Sequence, residues 1–303
     1  MPIHDDHIHL RAHVDPVEEH QLVPVLDSAN EKGIIPGIRE HPLLPPDYRL
    51  GPRGDCDYAM IESEIDRFFG LFKENNYPVG LEIDYITGEE EEITLIFNKY
   101  VEKAEKEGLE ISGIHGSVHF LPGSIKCDNW REDTCVDHVM WDLNESIFIA
   151  HLKERGAERL LHDYFGAMER LIDQNIYNTL SHMDLLRKFD RKDTSGRSIY
   201  FGDVEDLYVN LSKKVIEKIS GTDMAVEINT AGVSNLIGRP YITQEILNYA
   251  VELDVPVSVG SDAHTPDRIG QYFDLAFDML RKAGRDYAVT FAGRKPVRYD
   301  FTG

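Results

Sequence analysis

Cysteine is scarce in this chain: Cys56, Cys127 and Cys135 are the only three in 303 residues, and no C-x-x-C pair occurs. That pattern argues against a disulfide framework or a zinc ribbon. Basic residues are outnumbered, 32 against 54 acidic ones, for a formal net charge of −22 at pH 7 with histidine neutral. Such a surplus repels nucleic acid and anionic lipid, so neither is an expected partner. Long apolar runs are missing too; none approaches the ~18 residues of a membrane span. The opening MPIHDDHIHL has neither the basic segment nor the apolar stretch of a secretory leader, and a cytoplasmic location is the expectation. No G-x-x-x-x-G-K-[ST] loop and no G-x-S-x-G elbow occurs, which speaks against P-loop nucleotide enzymes and serine hydrolases. No Gly/Ser-rich linker divides the chain, and a single domain over residues 1–303 is expected.

What the chain does have is alternation. Short β-rich runs at 3–9, 34–40, 79–86, 111–120, 178–184, 225–230 and 255–260 are separated by segments of helical spacing. Those segments are 61–73, 93–107, 157–174, 204–219, 243–253 and 269–283. Strand and helix in turn favour a parallel sheet closed as an incomplete α/β barrel, with 287–291 as a candidate eighth strand. The stretch 41–57, with Pro42, Pro45, Pro46 and Pro52, reads as an ordered loop. The stretch 121–148, with Trp130 and Trp141, reads as a lid or side wall.

Thirteen histidines are spread along the chain rather than gathered in a tag, and several share one setting. His7 and His9 close the first strand; side chains at i and i+2 share a face, so both can grip one ion. The spacing recurs as His182 and Asp184 at the fifth strand and as Asp262 and His264 at the seventh. In a barrel these ends gather at the mouth that carries catalytic groups. His41, Glu82 and His119 add single donors at other strand ends. Glu82 lies within an apolar run, where an unpaired carboxylate would cost several kcal/mol unless a cation or a buried ion pair takes it. Glu227 has the same problem, and a structural hydrogen-bonding role is expected for it.

The ordered set of HIH, REH, GLEIDYI, GSVHFLPG, SHMDLLRKF, VEINTAG and GSDAH, spanning nearly the whole chain, resembles the PHP (polymerase and histidinol phosphatase) superfamily, in its histidinol-phosphatase branch. The resemblance implies a distorted (β/α)7 barrel holding three divalent ions. His7, His9, Glu82 and Asp262 would hold one ion, and Glu82 would bridge to a second held by His119 and His182. His41, His264 and Asp15 would hold the third, with His13 the competitor of Asp15. Mixed imidazole and carboxylate donors suit zinc, iron or manganese. The implied reaction is hydrolysis of L-histidinol phosphate by a hydroxide generated between the ions, with another small phosphate ester, a nucleotide or sugar phosphate, as the alternative substrate. His182 and Asp184 are the candidate catalytic residues, Asp184 by orienting His182 or relaying a proton. His115, Arg187, Arg239 and Arg268 are candidate substrate contacts, and Lys188 lies beside them. Two other readings are weighed: a metal-dependent amidohydrolase, for which no bridging lysine stands at the strand ends, and a catalytically silent metal-binding module.

Overall fold

The computed structural model describes residues 2–10, 22–48, 59–123 and 138–301. In chain order its elements are β1 (Ile3–Ile8), α1 (Leu22–Glu31), β2 (Ile34–Ile38), α2 (Ile65–Glu74), β3 (Val79–Asp84), α3 (Glu90–Glu107), β4 (Ile111–Ser117), β5 (Phe120–Pro122), β6 (His138–Met140) and α4 (Glu145–Arg155). There follow α5 (Ala157–Asp173), β7 (Thr179–Leu180), α6 (Glu205–Ser220), β8 (Ala225–Asn229), α7 (Gln244–Glu252), β9 (Val257–Gly260), α8 (Phe273–Lys282), β10 (Tyr287–Ala292) and β11 (Lys295–Asp300).

Seven parallel strands form a closed ring. β1 pairs with β2, and β3, β4, β7, β8 and β9 pair in that order. Two isolated bridges complete the circle, Glu40 to Leu81 between β2 and β3, and Ile8 to Ala263 between β1 and β9. Backbone hydrogen bonds carry both seams: Glu82 N to Glu40 O at 3.0 Å, and His9 N to Ala263 O at 2.8 Å.

The strand β3 is buried at all six positions, as expected where a parallel strand is covered on both faces. Helix stripes supply the outer cover: Phe68, Phe69 and Phe72 from α2, Tyr100 from α3, and Leu160, Leu161, Tyr164 and Met168 from α5. These recur at three- and four-residue spacing, which keeps them on one helix face. Helix ends carry ordinary caps: Thr243 accepts the Ile246 amide at 3.2 Å before α7, and Gly108 closes α3 with φ 71°. None of the described helices is long and apolar enough to cross a membrane.

Two sequence expectations change. The stretch 287–291 is not an eighth barrel strand; β10 pairs antiparallel with β11 through Gly293 and Arg294, both at positive φ, the backbone a two-residue hairpin turn needs. That hairpin seals the bottom of the ring: Arg294 N donates to Ser112 O at 3.0 Å, and Tyr299 Oη donates to His4 O at 3.1 Å. The strand expected over 178–184 is only two residues long, and His182 takes φ 23°, so the chain leaves the extended conformation there. Of 121–148, the hairpin β5–β6 and the buried Trp141, packed against Phe148 and Tyr164, are described. Trp130 and the three cysteines lie outside the described residues, as does Pro52 of the proline-rich loop.

Candidate metal centre

At the C-terminal mouth of the ring, Glu82 stands among four imidazoles from three strand ends. Its Oε2 lies 3.0 Å from His7 Nε2, 3.2 Å from His9 Nε2 and 3.2 Å from His41 Nε2. Its Oε1 lies 2.9 Å from His182 Nε2. The strand ends explain this convergence: His7 and His9 leave β1 with β9 beside them, His41 follows β2, and Glu82 rises from β3 into the middle. All of these side chains are buried.

The donor set fits divalent cations. His7 Nε2 and His9 Nε2 face each other at 3.2 Å, close to the ~3.4 Å edge of a tetrahedron with zinc–nitrogen bonds of about 2.1 Å. Two neutral ring nitrogens with lone pairs so placed repel unless a proton or a cation sits between them. Three trios have ligand atoms within 4.8 Å of one another and lie on the expected residues: His7, His9 and Asp262; His9, His41 and Glu82; Glu82, His119 and His182. A fourth, His7, His115 and Glu227, lies in the layer beneath.

The electrostatics fit as well. Burial opposes ionisation of Glu82, but the charges of His7 and His41 outweigh it and hold the carboxyl well below its ordinary range. Burial pushes His7 down, yet Glu227, Glu82 and Asp262 raise it well above the usual imidazole value. Burial likewise lowers His119, and Asp84 followed by Asp142 lift it to about 9. In the cation-free protein Glu82 therefore stays charged, and His7 and His119 hold protons that a binding cation displaces.

Partners outside the cluster orient the rings, as supporting carboxylates commonly do at metal sites. Glu227 Oε1 is 2.8 Å from His7 Nδ1, and its Oε2 accepts the His182 amide at 2.9 Å, which is the structural role expected of it. Asp84 Oδ1 is 2.7 Å from His119 Nδ1. Glu40 Oε2 accepts the Leu10 amide at 2.9 Å and its Oε1 lies 3.5 Å from His9 Nδ1. Asn229 Nδ2 donates to Asp262 Oδ2 at 3.1 Å, while Asp262 Oδ1 stands 3.4 Å from His9 Nε2. His264 donates from Nδ1 to the Asp262 carbonyl at 2.9 Å and packs its ring on His9 at 4.4 Å. His41 stacks on His9 at 4.7 Å.

The structure thus brings together His7, His9, His41, Glu82, His119, His182, Asp262 and His264. Asp15 and His13 lie outside the described residues. Other expectations are corrected. Asp184 does not orient His182, whose Nδ1 has no hydrogen-bond partner among the described residues; the Asp184 carboxylate takes Tyr208 Oη and Arg239 Nη1 instead. His115 is not on the substrate side. It is fully buried, edge-on to His7 at 4.9 Å and 3.3 Å from Asp6 Oδ2, in a floor where Asp6 also accepts Arg39 Nη2 at 2.6 Å and Thr290 Oγ1 at 2.9 Å. Arg187 is committed to Asp190 and Glu205, at 2.9 and 2.7 Å. Arg268 is exposed on the short turn Pro266–Arg268 that follows His264.

Sequence reasoning missed Asp84 and Glu40, though Asp84 stands two residues beyond Glu82 on a buried strand, the same i, i+2 signal that marked His7 and His9.

No family model matches the chain. Among curated proteins it is 26% identical over 237 residues to a protein of Deinococcus radiodurans assigned as a histidinol-phosphatase, covering 78% of this chain and 75% of that one. It is also 26% identical over 247 residues to the histidinol-phosphatase of Bacillus subtilis, covering 78% and 83%. Among solved structures, a Listeria monocytogenes protein assigned as a histidinol phosphatase superposes with TM-score 0.70 at 19% identity, over 90% of this chain and 99% of that one. The histidinol phosphate phosphatase of Lactococcus lactis, solved with zinc, L-histidinol and phosphate, superposes with TM-score 0.65 at 19% identity, over 98% and 99%. In its sequence matches, its seven-stranded ring and its ligand-bearing strand ends, the chain is similar to histidinol-phosphatases.

Proposed function

We propose that the protein is a metal-dependent phosphomonoesterase that hydrolyses L-histidinol phosphate to L-histidinol and phosphate. The observation that carries this reading is the Glu82 carboxylate, with one oxygen toward His7, His9 and His41 and the other toward His182, an arrangement suited to bridging two cations. Both curated relatives carry the histidinol-phosphatase name.

Three ions fit the reading. His7, His9, Glu82 and Asp262 would hold the first, Glu82, His119 and His182 the second, and His41, His264 and Asp15 the third; zinc, iron and manganese all suit these donors. Divalent ions so held supply a water of lowered pKa and neutralise charge on the phosphoryl oxygens. The chain's own residues do the positioning. Glu227 holds the His7 ring and Asp84 the His119 ring, and Arg239 presents N–H donors on the His182 side. A small phosphorylated substrate entering from the C-terminal mouth would meet the metal-ligand cluster and Arg239 together. Histidine biosynthesis in the cytoplasm is the setting that goes with this substrate.

The test is phosphate release from L-histidinol phosphate beside nucleotide and sugar phosphates, with metal-replete protein and a chelated control. Selective, chelator-sensitive turnover of histidinol phosphate is expected. Preference for another ester would leave a metal phosphoesterase of different specificity, and absence of any chelator-sensitive turnover would overturn the proposal.

A further inference from the structure

Asp184 lies two residues beyond His182 and is fully buried, yet it belongs to none of the ligand trios. Both its oxygens are taken. Oδ1 accepts the phenol of Tyr208, and Oδ2 accepts Arg239 Nη1 at 2.6 Å. The phenol is itself fixed, with the Arg187 guanidinium carbon 4.7 Å above its ring and Arg187 bound to Asp190 and Glu205. Burial raises the Tyr208 pKa, so the phenol remains a donor.

Arg239 stands in the segment after β8, next to Pro240 and Tyr241. The Tyr241 carbonyl accepts the Asp184 amide at 3.3 Å, and the Tyr241 ring lies 6.3 Å from that of His182. Arg239 Nη1 spends its second donor on Pro240 O at 2.8 Å. A guanidinium carries five N–H groups, and among the described residues Nε and Nη2 donate to no protein acceptor. Its side chain is 29% exposed where that of Asp184 is 0% exposed. One edge of the guanidinium is therefore anchored and the other is presented to solvent beside the His182 side of the cluster.

We infer that Asp184 and Tyr208 are positioning residues that hold Arg239 so that its open edge binds the phosphoryl group of the substrate. The inference rests on the phosphatase reading. A planar fork with two N–H groups in fixed relation matches two phosphoryl oxygens, and fixing it in advance spares the ordering cost that a mobile arginine would meet on binding. Asp184 then acts on phosphate through Arg239, rather than on a cation through His182.

The test uses the full-length, metal-replete protein and reads kcat and KM for L-histidinol phosphate, Ki for inorganic phosphate, and bound metal. Arg239→Ala should raise KM and Ki on the order of 10- to 100-fold, the worth of a charge-assisted hydrogen bond. Asp184→Asn and Tyr208→Phe should each reproduce part of that rise with metal content unchanged. The double variant Asp184→Asn/Arg239→Ala should be no worse than Arg239→Ala alone, because Asp184 works through Arg239. Multiplied losses in the double variant would overturn the inference. So would an Asp184→Asn protein that loses metal or kcat while its phosphate Ki stays put, since Asp184 would then be acting through His182. Tyr208→Phe, which keeps the ring packing, supplies the same comparison should Asp184→Asn fail to fold. A wild-type protein that turns over no phosphate ester, yet binds inorganic phosphate in an Arg239- and Asp184-dependent way, would sink the substrate reading and leave this one standing.

Discussion

Glu82 Oε1 and His182 Nε2 meet at 2.9 Å across 100 residues of chain. Two strands that are not neighbours in the ring, β3 and β7, are joined at their tips by side chains alone. Replacing Glu82 with Gln keeps the shape and removes the charge that the surrounding imidazoles, or a cation, neutralise. The expected outcome is loss of bound metal and a fall in kcat/KM of at least about a hundredfold, with near-ultraviolet circular dichroism unchanged. Full metal content with full activity would count against Glu82 as a ligand.

Asp84 accepts from His119 Nδ1 and fixes which ring nitrogen faces the cluster. Asp84→Asn should weaken metal affinity by roughly 10- to 100-fold, and the His119 pKa, lifted to about 9 chiefly by Asp84 against the pull of burial, should drop in the cation-free protein. Metal titration and histidine NMR titration read the two effects separately.

Gly260 sits where β9 passes closest to the His7 support. A Cβ there would come within 2.3 Å of Glu227 Oε1 and 2.5 Å of His7 Cβ, so one of them must move. Gly260→Ala is expected to cost about 1–3 kcal/mol of stability and to lower metal content together with it. A variant with wild-type melting and metal binding would mean that this corner is more yielding than its spacing suggests.

His151, on α4, is fully buried with no partner for either ring nitrogen among the described residues, and burial lowers its pKa from 6.5 to about 4. The unfolded chain takes up this proton as pH falls through 6.5 while the folded chain does so only near 4. The folded state therefore loses stability through that window, by about 3 kcal/mol at its acid end, and no such loss exists above pH 6.5. Urea midpoints between pH 7 and 4.5 should fall more steeply for wild type than for His151→Leu. Parallel curves would rule out this histidine as a source of acid sensitivity.

Most of the ring and its ligand-bearing tips could be read from the sequence because both follow from one rule. Strand residues alternate faces, and an apolar run that ends in His, Asp or Glu announces a mouth. The same rule misassigned Asp184, since it assumes an extended chain and His182 turns with φ 23°. Two helices were not anticipated. α1 carries Pro24 in its first turn and adjoins residues outside the described structure, while α4 buries only Phe148 and His151 and so shows no stripe. The place of 287–291 was out of reach because a strand pattern does not say whether its partner runs parallel or antiparallel, and only the Gly293–Arg294 turn decides it. His115 and Arg187 looked like substrate contacts by proximity in sequence; their partners, Asp6 in one case and Asp190 and Glu205 in the other, are set by tertiary packing.

The two isolated bridges that close the ring have a further meaning. Along β3 and β4 six residue pairs are matched, with one register shift after Val79, but β2 meets β3, and β1 meets β9, each through a single bridge. The ligand atoms straddle those same seams: His41 faces Glu82 across one, and His9 faces Asp262 across the other. A cation held there acts as a rivet where the backbone is least stitched, so chelation should loosen the barrel along two defined lines before it melts anywhere else, and hydrogen exchange at Glu40, Glu82, His9 and Asp262 would open first.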